Sequence, residues 1–262
     1  MSIEVEVNGD PVFASTGGGQ FDARRPTVAL LHGSGNDHTV WGLQARALAA
    51  HGRSVLALDL PGHGRSGGGL LDRVETMAEW LLAVLDAVGA QEVALAGHSL
   101  GGAVALATTV MARERVTGLG LVAAAPLMAV HPQLMSAAAE RRHLAPELIA
   151  DWSHLRGGAV GSAVPGHWPP ALTLRLNERG LDGPLAADLE ASDRYRGALD
   201  AATAVTCPTV VVLGSDDRML PVAAGRELAA AIPHAMVIEI AGGHQLTAEH
   251  PDAVTAALLL VA

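Results

Sequence analysis

Short runs of β-branched and aliphatic residues, each closed by glycine, proline or aspartate, alternate with longer alanine- and leucine-rich segments along most of this chain. That alternation constrains the fold more than any other feature, because strand, helical crossover and strand build a mostly parallel sheet of the α/β class, covered by helices on both faces. Strands are expected at Thr27 to Leu31, Ser54 to Asp59, Glu92 to Ala96, Gly118 to Ala123, Thr209 to Leu213 and Met236 to Ile240. Each is nearly all apolar, as burial on two faces requires. Ile3 to Val7 and Pro11 to Ser15, joined by Asn8-Gly9-Asp10, predict an N-terminal hairpin at the sheet edge and bring the expected strands to eight. Apolar residues at helical spacing predict helices over Val74 to Val88, stopping at Gly89, over Leu100 to Met111 and over Val222 to Ile232, and Pro251 opens a last one.

One stretch breaks the alternation. From about Pro126 to Asp200 no clean strand is legible, and helix-like pieces are punctuated by Pro132, Pro146, Gly157-Gly158, Pro169-Pro170 and Pro184. Leu134, Leu144, Leu148, Leu155, Leu172 and Leu176 recur through it, more apolar content than a disordered insertion carries. The expectation is one core domain, residues 1–125 and 201–262, interrupted by a helical cap over residues 126–200. Within the cap, Gly157 to Gly166 is rich in glycine and poor in anchors, so its backbone is expected to be the least constrained. No internal repeat is present.

Composition removes several chemistries. A formal charge of −10 disfavours nucleic acid and anionic membrane surfaces, where binding rests on clustered lysine and arginine. The chain contains no lysine, so Schiff-base chemistry, pyridoxal phosphate attachment and the lysine of a phosphate-binding loop drop out together. Cys207 is the single cysteine, which excludes an internal disulfide and cysteine-cluster metal sites; it reads as a small buried hydrophobe. Twelve histidines show no H-x-x-x-H or H-E-x-x-H pair on a helix-like segment, so neither a metal nor a cofactor is expected. No run of 18 apolar residues and no basic start leading into an apolar segment is present, and the expected location is the cytoplasm. The expected partner is a small-molecule substrate, with monomer and homodimer both open.

Gly97-His98-Ser99-Leu100-Gly101 matches G-x-S-x-G, although a chain this rich in glycine yields roughly 0.1 to 0.2 such matches by chance. Gly64-Arg65-Ser66-Gly67-Gly68 matches too, so context decides. A nucleophilic serine of this type needs a sharp strand-to-helix turn flanked by small residues. Ser99 has that setting, between the expected strand ending at Ala96 and the expected helix from Leu100. Ser66 follows Pro61-Gly62 and precedes a run of glycines, and reads as loop. At the helix start the Leu100 N–H is left unpaired and can donate to a developing oxyanion.

A serine hydroxyl is a weak nucleophile at neutral pH and needs a base, and the base needs a carboxylate that fixes its tautomer. Gly242-Gly243-His244 follows the strand Met236 to Ile240, where two glycines let the chain turn the imidazole back over the sheet. His244 is the first choice, and His250, directly before Pro251, is its rival. After the strand Thr209 to Leu213, Asp216 and Asp217 are adjacent and only one can meet the imidazole; spacing alone does not choose between them.

The chain order Ser, Asp, His is that of the α/β-hydrolases, and the sequence resembles that family over nearly its whole length. The resemblance rests on the elbow, on His32-Gly33-Ser34-Gly35, on Asp59-Leu60-Pro61-Gly62-His63-Gly64-Arg65-Ser66 and on Gly243-His244. It implies an eight-stranded α/β-hydrolase core with a cap roofing the pocket. It selects Asp217, three residues after Gly214 and four before Pro221, and makes the Ser34 N–H the second oxyanion donor. It also makes the Asp59 to Ser66 segment structural. The activity implied is cofactor-free cleavage of an ester, thioester or lactone through an acyl-enzyme on Ser99, since related dehalogenases and epoxide hydrolases carry aspartate at that position. Carbon-carbon hydrolases of the meta-cleavage type are also similar through His-Gly-Ser-Gly and Asp216-Asp217-Arg218, but usually have tryptophan and asparagine where Gln245 and His98 stand. A non-catalytic binding protein on the same fold is the alternative of another class. Trp41, Met128, Trp152 and Trp168 are candidates for an apolar pocket lining.

Overall fold

The computed structural model describes residues 1–155 and 168–262. Eight strands form one sheet in the order β1-β2-β4-β3-β5-β6-β7-β8. β1 (Ser2–Val7) and β2 (Asp10–Ser15) are the expected hairpin, with Asn8 and Gly9 at φ +56° and +90°, the left-handed pair that a two-residue hairpin turn requires. β2 lies antiparallel on β4 (Ser54–Leu58), and from there β3 (Thr27–Leu31), β5 (Val93–His98), β6 (Val116–Val122), β7 (Thr209–Gly214) and β8 (Met236–Ile240) run parallel.

The pleat sorts each central strand between two cores. Val28 and Leu30, Val55 and Ala57, and Val210 and Val212 point to one face, against Trp41, Leu48 of α1 (Gly42–Ala50) and Val254 and Leu258 of α11 (Pro251–Leu258). Ala29 and Leu31, Leu56 and Leu58, and Val211 and Leu213 point to the other, packed against α2 (Val74–Ala87), α3 (Leu100–Met111), α8 (Ala198–Thr203) and α9 (Val222–Ala231). β8 departs from the expectation of a doubly covered strand: it is the edge strand, and Met236 and Val237 are 50% and 42% exposed because nothing pairs beyond it among the described residues. β5 runs past the expected Ala96 through Gly97 and His98, so the strand ends directly at Ser99.

Between β6 and β7 the described residues contain only helices: α4 (Pro132–Ala139), α5 (Leu144–Trp152), α6 (Pro169–Arg179), α7 (Pro184–Arg194) and α8, with one turn of 3-10 helix. Leu134, Ala137 and Ala138 of α4, Ala145 and Ile149 of α5, and Leu185 and Leu189 of α7 make a third cluster of their own. Ala198 and Ala202 of α8 belong instead to the sheet's core. The Gly157 to Gly166 segment, singled out above, lies outside the described residues. Among the described residues no helix is long and apolar enough to cross a membrane.

Candidate active site

β5 and α3 meet at a single residue, Ser99, whose φ of +53° and ψ of −119° are a conformation that serine seldom adopts. The turn is tight enough that its flanks cannot carry a side chain. A Cβ on Gly97 would lie 2.0 Å from the Gly101 carbonyl oxygen, and one on Gly101 would lie 2.3 Å from that of Leu31. Ser99 is half-exposed, and its hydroxyl makes no hydrogen bond among the described residues. The N–H groups of Leu100 and Ser34 likewise donate to no protein acceptor among the described residues, as expected for the first residue of a helix and for a turn aimed at the sheet's carboxyl edge.

Asp217 and His244 stand on the loops after β7 and β8, strands that are neighbours in the sheet. The His244 Nδ1–H donates to Asp217 Oδ2 at 2.7 Å, and both side chains are buried. The other carboxylate oxygen accepts the N–H groups of Met219 and Leu220, each at 2.8 Å, so Asp217 is locked in orientation. With Nδ1 carrying the proton, Nε2 of His244 presents a lone pair. Asp216 points elsewhere, accepting from Ser215 Oγ at 2.8 Å in an exposed position. His244 and Ser99 line one cavity of about 330 Å³ and share no hydrogen bond.

The His244 loop is held from several sides. Ser153 O, at the end of α5, accepts the N–H groups of His244 and Gln245 at 2.7 and 3.1 Å. Glu249 Oε2 accepts the Gly243 N–H at 2.7 Å, while its Oε1 accepts from Leu155 N at 2.9 Å and faces His154 Nδ1 at 3.2 Å. Burial alone would raise the Glu249 carboxyl; these donors outweigh it and hold it below its ordinary value. His98 Nε2 meets the His244 carbonyl at 2.9 Å, and a carbonyl only accepts, so this nitrogen carries the proton. Burial, and then the neighbouring His244 ring, push His98 down to about 3, so it is neutral at pH 7.

The loop bearing Ser34 is held by the helical segment. Asp188 Oδ2 of α7 accepts the Gly35 N–H at 2.8 Å and faces His63 Nε2 at 3.0 Å, while His63 Nδ1 donates to Pro61 O at 2.9 Å. Two acceptors around one imidazole require both nitrogens to be protonated. Burial opposes that charge, but the Asp188 carboxylate prevails and raises the His63 value. His32 on the same loop is held down to about 4 by burial, then by His63.

Of the four candidate lining residues, Met128 and Trp152 face the cavity. Trp41 does not: it is fully buried under the sheet with Leu30 and Leu48. Trp168 is 54% exposed ahead of α6 and does not line the cavity. Ser66 is buried in a loop, where its hydroxyl donates to Asp59 O at 2.8 Å and accepts from Phe13 N at 2.9 Å. His250 Nε2 donates to Ala241 O at 2.9 Å, and the ring does not line the cavity. Cys207 is half-buried at the margin of the core, more exposed than expected. Asp37, His38 and Asp59 approach one another closely enough to share a cation, yet their oxygens are taken: Asp59 accepts His38 N and Nδ1 and Arg65 N, and Asp37 accepts Thr39 N. The positioning roles of Ser153, Glu249 and Asp188 carry no local sequence signal, since each acts across a long chain separation or through backbone, whereas His63 falls in the Asp59 to Ser66 segment read above as structural.

A family model described as alpha/beta hydrolase fold matches residues 26–251. The chain is 32% identical over 250 residues to the dihydrolipoyllysine-residue acetyltransferase component of the acetoin cleaving system of Pseudomonas putida, covering 88% of this chain and 62% of that protein. It therefore spans somewhat less than two thirds of that relative. It is 29% identical over 247 residues to a 2-hydroxy-6-oxononadienedioate/2-hydroxy-6-oxononatrienedioate hydrolase of Cupriavidus pinatubonensis, covering 87% of this chain and 83% of that one. In fold it matches the crystal structure of the enol-lactonase from Burkholderia xenovorans LB400 with a TM-score of 0.86 at 23% identity, over 99% of both chains. With its eight-stranded sheet and the match over most of its length, this chain belongs to the α/β-hydrolase family.

Proposed function

We propose that the protein is a serine hydrolase that cleaves an ester, thioester or lactone bond of a small molecule through an acyl-enzyme on Ser99. The observation that carries this reading is the 2.7 Å bond between Asp217 and His244, on a cavity that also receives the strained Ser99. In the first step His244 Nε2 takes the hydroxyl proton as Ser99 Oγ attacks the carbonyl, and the N–H groups of Ser34 and Leu100 receive the developing oxyanion. Each such donor contributes about 3 kcal/mol to lowering the barrier. The imidazolium, stabilised by Asp217, returns the proton to the leaving group. Water activated by the same imidazole then releases the acid. The helices α4 to α7 act as the lid, and no step calls for a cofactor.

The test is incubation with a fluorophosphonate, followed by intact mass and peptide mapping of the wild type and of Ser99→Ala. A single adduct on Ser99, absent from the variant, is expected together with turnover of p-nitrophenyl esters. An adduct on Ser66, or none, overturns the assignment and favours a ligand-binding protein on this fold. The similarity to a dienedioate hydrolase supports a second reading, carbon-carbon cleavage with the same three residues. A dienone substrate run beside the esters separates the two by which one turns over.

A further inference from the structure

The cavity at Ser99 carries an asymmetry that acyl transfer by itself does not need. Among the described residues that line it, Arg218 is the single fixed charge, and no carboxylate faces it. The rest of the lining mixes apolar groups such as Met128, Ile149 and Trp152 with neutral polar ones. Arg218 directly follows Asp217, so its backbone is anchored by the residue that holds His244.

Its guanidinium is incompletely satisfied. One terminal nitrogen donates to the Asp151 carbonyl, and the other lies 3.6 Å from Asp151 Oδ2, a carboxylate that is itself 70% exposed. Arg218 Nε is buried and has no hydrogen-bond partner among the described residues. A loose pair with an exposed carboxylate is weak and readily exchanged, whereas a planar guanidinium beside a mostly apolar cavity is suited to a carboxylate in bidentate geometry.

We infer that Arg218 is a specificity-determining residue that recognises an anionic group on the substrate. The substrate class is then a small ester or lactone bearing a free carboxylate besides its scissile carbonyl. This deepens the proposed function and rests on that assignment of the cavity. Asp151 holds Arg218 and competes with the ligand's carboxylate for it.

The test measures binding to Ser99→Ala by calorimetry, with monomethyl adipate and methyl hexanoate as an anionic and a neutral probe. Expected is a preference of tenfold or more for monomethyl adipate. Adding Arg218→Gln collapses that ratio toward one, and Arg218→Lys keeps part of it. Adding Asp151→Asn widens it by removing the competing carboxylate. Equal affinity for the two probes, an equal loss of both in Arg218→Gln, or a narrowed ratio in Asp151→Asn overturns the inference and leaves Arg218 as a tie between the β7 loop and α5. Because no turnover is needed, a wild type that neither takes up fluorophosphonate nor hydrolyses esters counts against the acyl-enzyme and not against Arg218.

Discussion

His98, the residue between Gly97 and Ser99, couples the strand end to the His244 loop and makes a measurable claim about acid stability. Its value falls from 6.5 to about 3 because burial opposes its charge. A base whose folded value is depressed favours the neutral folded form. Its contribution is therefore fully present above about pH 6.5 and is lost as pH falls through that value, until the folded value near 3 is reached. At pH 5 the unfolded chain is protonated at this site about 30-fold over neutral while the folded site is not, which costs about 2 kcal/mol relative to pH 8. His32, held down to about 4, adds a similar loss. Urea unfolding of the wild type and of His98→Gln at pH 8 and pH 5 isolates the term. The glutamine amide can still donate to the His244 carbonyl, but it has no proton to gain. The variant is expected to lose about 2 kcal/mol less than the wild type between the two pH values. Identical losses in the two proteins would refute the neutral, buried assignment of His98. His63 runs the other way: its raised value gives stability that is present below about pH 6.5 and lost as pH rises through the folded value, and it is common to both proteins, so it cancels in the comparison.

Asp217→Asn is expected to cut ester turnover by about 10³- to 10⁴-fold, since the amide no longer selects the Nδ1–H tautomer, while Asp216→Asn stays within about threefold; steady-state kinetics with one ester reads both, and equal losses would remove Asp217 from its proposed role. Asp188→Ala strands a buried imidazolium at His63 and should cost about 3 to 5 kcal/mol in urea unfolding; a change below about 1 kcal/mol would show that the pair is neutral. Gly101→Ala places a methyl group 2.3 Å from the Leu31 carbonyl and is expected to yield no soluble folded protein, or one without fluorophosphonate labelling, by circular dichroism and mass spectrometry.

The central strands were legible because they are buried on two faces: Thr27–Leu31 and Thr209–Gly214 are continuous apolar runs that a doubly covered sheet demands. The elbow was legible for a related reason, since glycine at 97 and 101 between a strand and a helix answers a steric demand acting within a few residues. Burial of β8 was overestimated because edge position depends on strand order, which no local pattern encodes. The tryptophans show the same limit. Trp41 and Trp152 look equivalent as sequence, yet one fills the core beneath the sheet and the other faces the cavity.

By itself, then, the sequence determined the strand and helix periodicity, the strained turn at Ser99 and the chain order of serine, aspartate and histidine, because each follows from local sterics or from the alternation of buried faces. Spacing alone left Asp216 and Asp217 open and the family resemblance chose Asp217; which histidines are charged, and that Arg218 is the arginine lining the cavity among the described residues, were decided only by the tertiary structure. Those properties belong to contacts such as His98 with His244, 146 residues apart, and His63 with Asp188, 125 apart. The energy of a buried charge or hydrogen bond depends on what surrounds it in space, and folding alone brings those surroundings together.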